Sequence, residues 1–177
     1  AHPHIEMKLH TGDPEDAIAR VLAGDEDLAI GARPDQLQAA LAFKSFATSP
    51  LVFISASSKH KGQAPAGAND PSEWADCPMI LSERGLARQR VDRWFRNLGV
   101  QPRIYAQVAG NEAIVSMVSL GFGVGVVPRI VLDHSPLAGS VRILEIEPAL
   151  EPSDVGLFTL RKKLGNPLIR ALWSQFK

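Results

Sequence analysis

Three turns combine residue types suited to capturing a small anion: Thr11-Gly12-Asp13, Ser82-Glu83-Arg84-Gly85 and Ala109-Gly110-Asn111-Glu112. Each follows an apolar, strand-like run and precedes a helix-like one. Helix N-termini expose unpaired N–H groups at the positive end of the dipole, and in open α/β sheets ligands settle outside the carboxyl ends of strands. Arg33, just beyond Gly31, is a fourth candidate at such an edge, where a guanidinium can grip a carboxylate through two parallel bonds. The candidate binding residues are therefore Thr11, Gly12, Arg33, Ser82, Gly85, Gly110, Asn111 and Glu112. The plainer alternatives are that Asp13 and Asn111 merely cap their helices and that Arg33 is an ordinary surface arginine. Glu112 suits a first helical turn but repels an anion, so it is expected to point away or to accept a hydrogen bond from a ligand hydroxyl.

Other chemistries find less support. Gly121-Phe122-Gly123-Val124-Gly125 superficially resembles a dinucleotide loop, but that loop must leave a strand and enter a helix. Here the order is reversed, which predicts a tight helix-to-strand turn with close backbone packing. His2, His4, His10, His60 and His134 show no metal-ligand spacing, and no serine lies in a nucleophile elbow. Cys77 is the single cysteine, which excludes an internal disulfide and a multi-cysteine metal site. No catalytic residue, cofactor or metal is expected. Trp94, Phe95, Trp173 and Phe176 fall on helical apolar stripes and are predicted core residues.

The elements that would position these residues alternate between strand and helix. Residues 4–10 keep period-2 alternation, with Ile5, Met7 and Leu9 on one face. Asp13 and Pro14 then open a helix that Gly24 closes. Strands are predicted over 27–31, 41–47, 51–54, 79–81, 104–108, 124–127, 141–146 and 155–160. Helices are predicted over 86–98 and 111–120, near Ile130, and after Asn166-Pro167. Residues 57–71, rich in Ser, Lys, Gly, Ala and Pro, read as a surface loop. Helix-separated strands point to an α/β fold with a mainly parallel sheet. The 177 residues hold 19 Lys+Arg and 19 Asp+Glu, and this balance argues against the chain gripping nucleic acid by itself. No apolar run approaches the ~20 residues of a membrane helix.

The segment from Val21 through Gly24 and Asp27 to Ile30, and that from Gly110 through Gly121, Gly123 and Gly125 to Pro128, resemble signatures of the effector domain of LysR-type transcriptional regulators. The resemblance covers essentially the whole chain. Arg90-Val91-Asp92-Arg93-Trp94-Phe95, Ile104-Tyr105-Ala106 and residues 112–118 and 131–136 are similar to the branch that activates the acetohydroxy acid isomeroreductase gene in isoleucine and valine synthesis. The resemblance implies a two-lobed fold of the type 2 periplasmic-binding-protein kind. Lobe one would hold 1–48 and 157–177, without its first strand and helix, and lobe two 49–156. It implies an inducer, acetolactate or acetohydroxybutyrate, bound between lobes. It also implies DNA binding only through a winged helix-turn-helix outside this chain, contact of the full activator with RNA polymerase, a homodimer or homotetramer, and a cytoplasmic location. A solute-binding protein for a small organic anion, or an enzyme on the same scaffold, are the alternatives.

Overall fold

The computed structural model describes residues 6–57, 65 and 71–176. Its chain divides into two compact units, Ala1–Thr48 with Asp154–Lys177, and Ser49–Ser153. The chain passes from one unit to the other at Thr48/Ser49 and returns at Ser153/Asp154, at the start of a strand.

Unit 1 opens with α1 (Pro14–Ala23), whose ends are chemically fixed. Asp13 Oδ1 accepts the Glu15 N–H at 2.9 Å, and Gly24, at φ 89°, donates its N–H to Arg20 and Val21 carbonyls. Strands β1 (Ala29–Ala32), β2 (Leu41–Ser49) and β8 (Ser153–Leu160) form a three-stranded sheet in the order β1-β8-β2, with β1 antiparallel to β8. Val21, Ala29, Leu41, Phe158 and Leu160 make its core. Helix α6 (Pro167–Trp173) starts at Asn166, whose side chain accepts the Leu168 N–H. Lys44 Nζ reaches the Trp173 carbonyl at 3.1 Å, and the Phe46 and Phe176 rings lie 5.0 Å apart, which docks the C-terminal segment. Trp173 and Phe176, predicted as core, are only half-buried, and Ile169 is the buried residue of α6.

The alternating stretch over 4–10 is not a strand where it is described: residues 6–10 carry no strand pairing among the described residues, His10 Nδ1 meets Glu26 Oε1 at 2.6 Å, and Met7 and Leu9 stand 71% and 81% exposed. Alternation selects residues for one face but cannot supply the neighbouring strand that the backbone needs. His2, His4 and Ile5, His60 and nearly all of the 57–71 loop lie outside the described residues.

Unit 2 is a five-stranded sheet, β5-β4-β6-β3-β7, from β3 (Leu51–Ala56), β4 (Pro78–Ser82), β5 (Arg103–Val108), β6 (Val124–Pro128) and β7 (Val141–Leu144). Strand β4 is parallel to β5 and β6, whereas β3 is antiparallel to both β6 and β7. Four strands thus share one direction and β3 opposes them. The mainly parallel expectation gives way to mixed sheets because strand–helix alternation says nothing about the strand inserted between β6 and β7. Adjacent residues on β3, β4 and β6 feed opposite faces. Phe53, Met79, Leu81, Val124 and Val126 pack with Trp74, Val91, Trp94 and Phe95 on one side. Ile54, Ile80 and Val127 pack with Ile114, Val115, Val118 and Leu132 on the other. Helix α2 (Pro71–Asp76), which the sequence pattern does not signal, and α3 (Leu86–Asn97) serve the first face, and α4 (Asn111–Ser119) and α5 (Arg129–His134) the second. A sheet covered on both faces explains why β4 and β6 are unbroken apolar runs.

The glycine cluster does what the reversed order predicts. A Cβ on Gly123 would sit 2.3 Å from the Pro78 carbonyl oxygen, and one on Gly125 would sit 2.5 Å from Ile114 Cγ2 and 2.8 Å from Val118 Cγ2. Hydrogen there lets β6 approach β4 and α4 closely. No helix among the described residues is long and apolar enough to cross a membrane.

Candidate functional site

On unit 2 the candidates gather at the carboxyl ends of the parallel neighbours β4 and β5. Ser82 stands opposite Val108 in the register, and the Glu83 N–H donates to the Val108 carbonyl at 3.2 Å. Arg88 braces this edge by donating to the Ser82 carbonyl at 3.0 Å, to Gln107 Oε1 at 2.9 Å and to Asp92 Oδ1 at 2.8 Å. Gly85 and Gly110 precede α3 and α4 at φ 98° and 86°, a left-handed region that explains glycine at both. The structure therefore places the cap of α4 at Gly110, not at Asn111, and neither α3 nor α4 has a side-chain cap bond. Their first-turn N–H groups lack the usual side-chain acceptor.

Glu112 lies in the first turn of α4 and accepts a hydrogen bond from Ser135 Oγ at 3.1 Å. Ser135 is buried and also accepts the Leu137 N–H, so the carboxylate is tied to the end of α5. Sequence spacing could not reveal Ser135, which lies 23 residues away.

Thr11, Gly12 and Arg33 sit on unit 1. Thr11 and Gly12 are exposed and lead into the Asp13 cap of α1. Pro14 Cβ lies 3.1 Å from where a Cβ on Gly31 would stand, so the start of α1 abuts the end of β1 from which Arg33 emerges. The Arg33 N–H donates to the Asp154 carbonyl at 2.7 Å, and its guanidinium carbon lies over the Phe43 ring, 5.8 Å from the centroid. Phe43 was invisible as a partner because its strand position reports only a face. The structure thus assembles two groups of candidates, one on each unit.

Cys77 precedes β4, at the strand end opposite Ser82, and burial pushes its thiol from 9.0 up to about 12. Among the described residues, no three His, Cys, Asp or Glu side chains cluster closely enough to hold a metal ion. The chemistry on offer is recognition by N–H donors, hydroxyls, one carboxylate and one guanidinium.

The model of the LysR substrate binding domain matches residues 1–177. The transcriptional activator IlvY of Salmonella typhimurium is 38% identical over 175 residues, which cover 97% of this chain and 59% of that protein. The chain thus spans about three-fifths of the length of this relative. The effector binding domain of QuiR in complex with shikimate superposes with a TM-score of 0.77 at 24% identity, covering 99% of this chain and 81% of that one. The regulatory domain of CcmR from Synechocystis PCC6803 in complex with 2-PG gives 0.80 at 22%, covering 99% and 83%. The two likenesses establish a shared fold, α/β with mixed sheets.

Proposed function

The chain belongs to the LysR substrate-binding domain family, and we propose that it senses a 2-aceto-2-hydroxy acid for an activator of isoleucine and valine synthesis. The observation that carries this reading is the 38% identity to IlvY, sustained over 97% of the chain. Acetolactate and acetohydroxybutyrate each offer a carboxylate, a tertiary hydroxyl and a ketone. The α4 N-terminus, Ser82 and Gly85 on unit 2 supply N–H and hydroxyl groups for an anionic oxygen. Glu112 accepts the Ser135 hydroxyl hydrogen, and this bond offsets part of the carboxylate's charge and so lessens its repulsion of such a ligand. Thr11, Gly12 and Arg33 on unit 1 supply a hydroxyl, an N–H and a charge. QuiR with shikimate and CcmR with 2-PG support the assignment of small-molecule recognition to this fold. Binding to DNA through a winged helix-turn-helix, contact with RNA polymerase, assembly as a homodimer or homotetramer, and a cytoplasmic setting complete the proposal.

The test is calorimetric titration of the full-length regulator with acetolactate, acetohydroxybutyrate, valine and isoleucine. Saturable heat is expected with the first two alone. Binding of valine or isoleucine without any response to acetolactate would overturn the assignment. Arg33→Ala should remove a charge-assisted bond worth about 1.5–3 kcal/mol, raising Kd roughly 10- to 150-fold, with Thr11→Val weaker in the same direction. If both variants melt normally and bind as the parent does, these contacts are wrong.

A further inference from the structure

Arg33 is exposed at the end of a strand, a place where a long side chain ordinarily samples many rotamers. Here two features limit it. Its own N–H is fixed to the Asp154 carbonyl at 2.7 Å, which sets where the side chain begins. Its guanidinium lies over the Phe43 ring, within the distance at which a cation is attracted to an aromatic face.

The ring is itself held. Phe43 and Phe158 lie 4.7 Å apart by centroid at a 43° tilt, and Phe158 is fully buried in the unit 1 core. A Cβ on Gly156 would come within 2.5 and 2.6 Å of the Phe43 Cε2 and Cζ atoms, and within 2.2 Å of the Lys44 carbonyl oxygen. The ring therefore lies in space that only glycine leaves open at position 156. Gly156 stands opposite Gly31 in the β1–β8 register, two residues before Arg33 on β1. A buried aromatic, a seat without a side chain and a main-chain anchor together form a shelf under one guanidinium.

We infer that Phe43, seated on Gly156, is the positioning residue for Arg33 in effector recognition. This rests on the reading that Arg33 contacts the effector. Phe43 touches no ligand in this scheme. It reduces the rotamer freedom that Arg33 would otherwise lose on binding, which is how preorganisation raises affinity. It also leaves the N–H edges of the guanidinium free for a carboxylate while the ring occupies a face. Replacing Phe43 by Leu keeps apolar bulk over Gly156 but removes the aromatic face, whereas Tyr keeps the face.

The experiment measures acetolactate affinity in the full-length regulator for Phe43→Leu, Phe43→Tyr, Arg33→Ala and the double variant Phe43→Leu/Arg33→Ala, each checked by thermal melting. Phe43→Leu is expected to weaken binding about two- to five-fold, the effect of one cation–π contact at an exposed site. Phe43→Tyr should bind as the parent does, and Phe43→Leu should add nothing once Arg33 is Ala. An independent readout is the set of Arg33 side-chain proton resonances, which the ring shifts upfield in the parent and which should relax in Phe43→Leu. An unchanged affinity in folded Phe43→Leu overturns the inference, as does an equal loss with and without Arg33. If Arg33→Ala itself binds normally, the Arg33 contact falls and the positioning role falls with it. If Arg33→Ala weakens binding while Phe43→Leu does not, the contact stands and only the positioning role fails. Should Phe43→Leu melt early, the Tyr variant and the resonances of the parent decide: an Arg33 resonance without an upfield shift in either counts against the shelf.

Discussion

Substituting Gly123 by Ala tests whether the glycine cluster exists for packing. The new Cβ would stand 2.3 Å from the Pro78 carbonyl oxygen, where ordinary contact begins near 3.4 Å, so β6 must retreat from β4 by about 1 Å. Pro78 is backbone at the first residue of β4, and its oxygen cannot rotate away as a flexible side chain could. The pairs Met79–Val124 and Ile80–Gly125 follow directly, so their ladder must stretch with the displacement. Overpacking of this kind costs about 1–3 kcal/mol, and weakening one or two backbone bonds adds about 0.5–1.5 kcal/mol each. A total near 3 kcal/mol should lower the melting temperature by roughly 6–12 °C for a chain of this size. Calorimetry and circular dichroism melts of Gly123→Ala, with Gly139→Ala as control, make the measurement. Gly139 has nothing within 4 Å of its missing Cβ and should melt close to the parent. A Gly123→Ala melt within a degree of the control would refute the close-packing account.

Two further outcomes rest on the same unit. Arg90 on α3 donates to the Glu151 and Pro152 carbonyls and to Ser153 Oγ, so Arg90→Met should destabilise unit 2 by about 3 kcal/mol in a calorimetric melt; an unchanged transition would show those bonds to be dispensable. The Cys77 thiol, raised by burial from 9.0 to about 12, keeps its proton in the native state at pH values where an unfolded thiol ionises. Its contribution to stability is therefore complete below pH 9 and is lost as pH rises towards 12. Iodoacetamide at mildly alkaline pH should label it at the rate of unfolding alone, and rapid stoichiometric labelling of the folded protein would contradict this.

Much of the fold was legible because local periodicity and local chemistry agree. In α3, Val91, Trp94 and Phe95 recur at helical spacing and are all buried. In α1, Asp13, Pro14 and Gly24 mark both ends through bonds to their near neighbours in sequence. What periodicity cannot give is the identity of the neighbour. Residues 6–10 alternate as a strand does, yet Met7 and Leu9 face solvent because no described strand lies beside them. Strand β3 runs against β6 and β7 although its composition matches theirs, since direction depends on where the chain enters the sheet.

The same division governs the candidate site. Gly110, Asn111 and Glu112 announce a helix start, and the sequence placed them correctly at a strand's carboxyl end. Whether that start welcomes an anion depends on Glu112, because a carboxylate in the first turn adds a negative charge where the dipole offers a positive one. The decisive partner is Ser135, at the end of α5, and nothing in the residues around Glu112 specifies it. Arg33 follows the same logic, since its partner Phe43 is ten positions away and is held there by Phe158 and the bare Gly156. Residue type fixes what a side chain can bind, and tertiary partners fix which of its atoms are left to do so. In the proposed recognition of an anion, the bond from Ser135 governs what Glu112 does on unit 2, and the Phe43 ring governs what Arg33 does on unit 1.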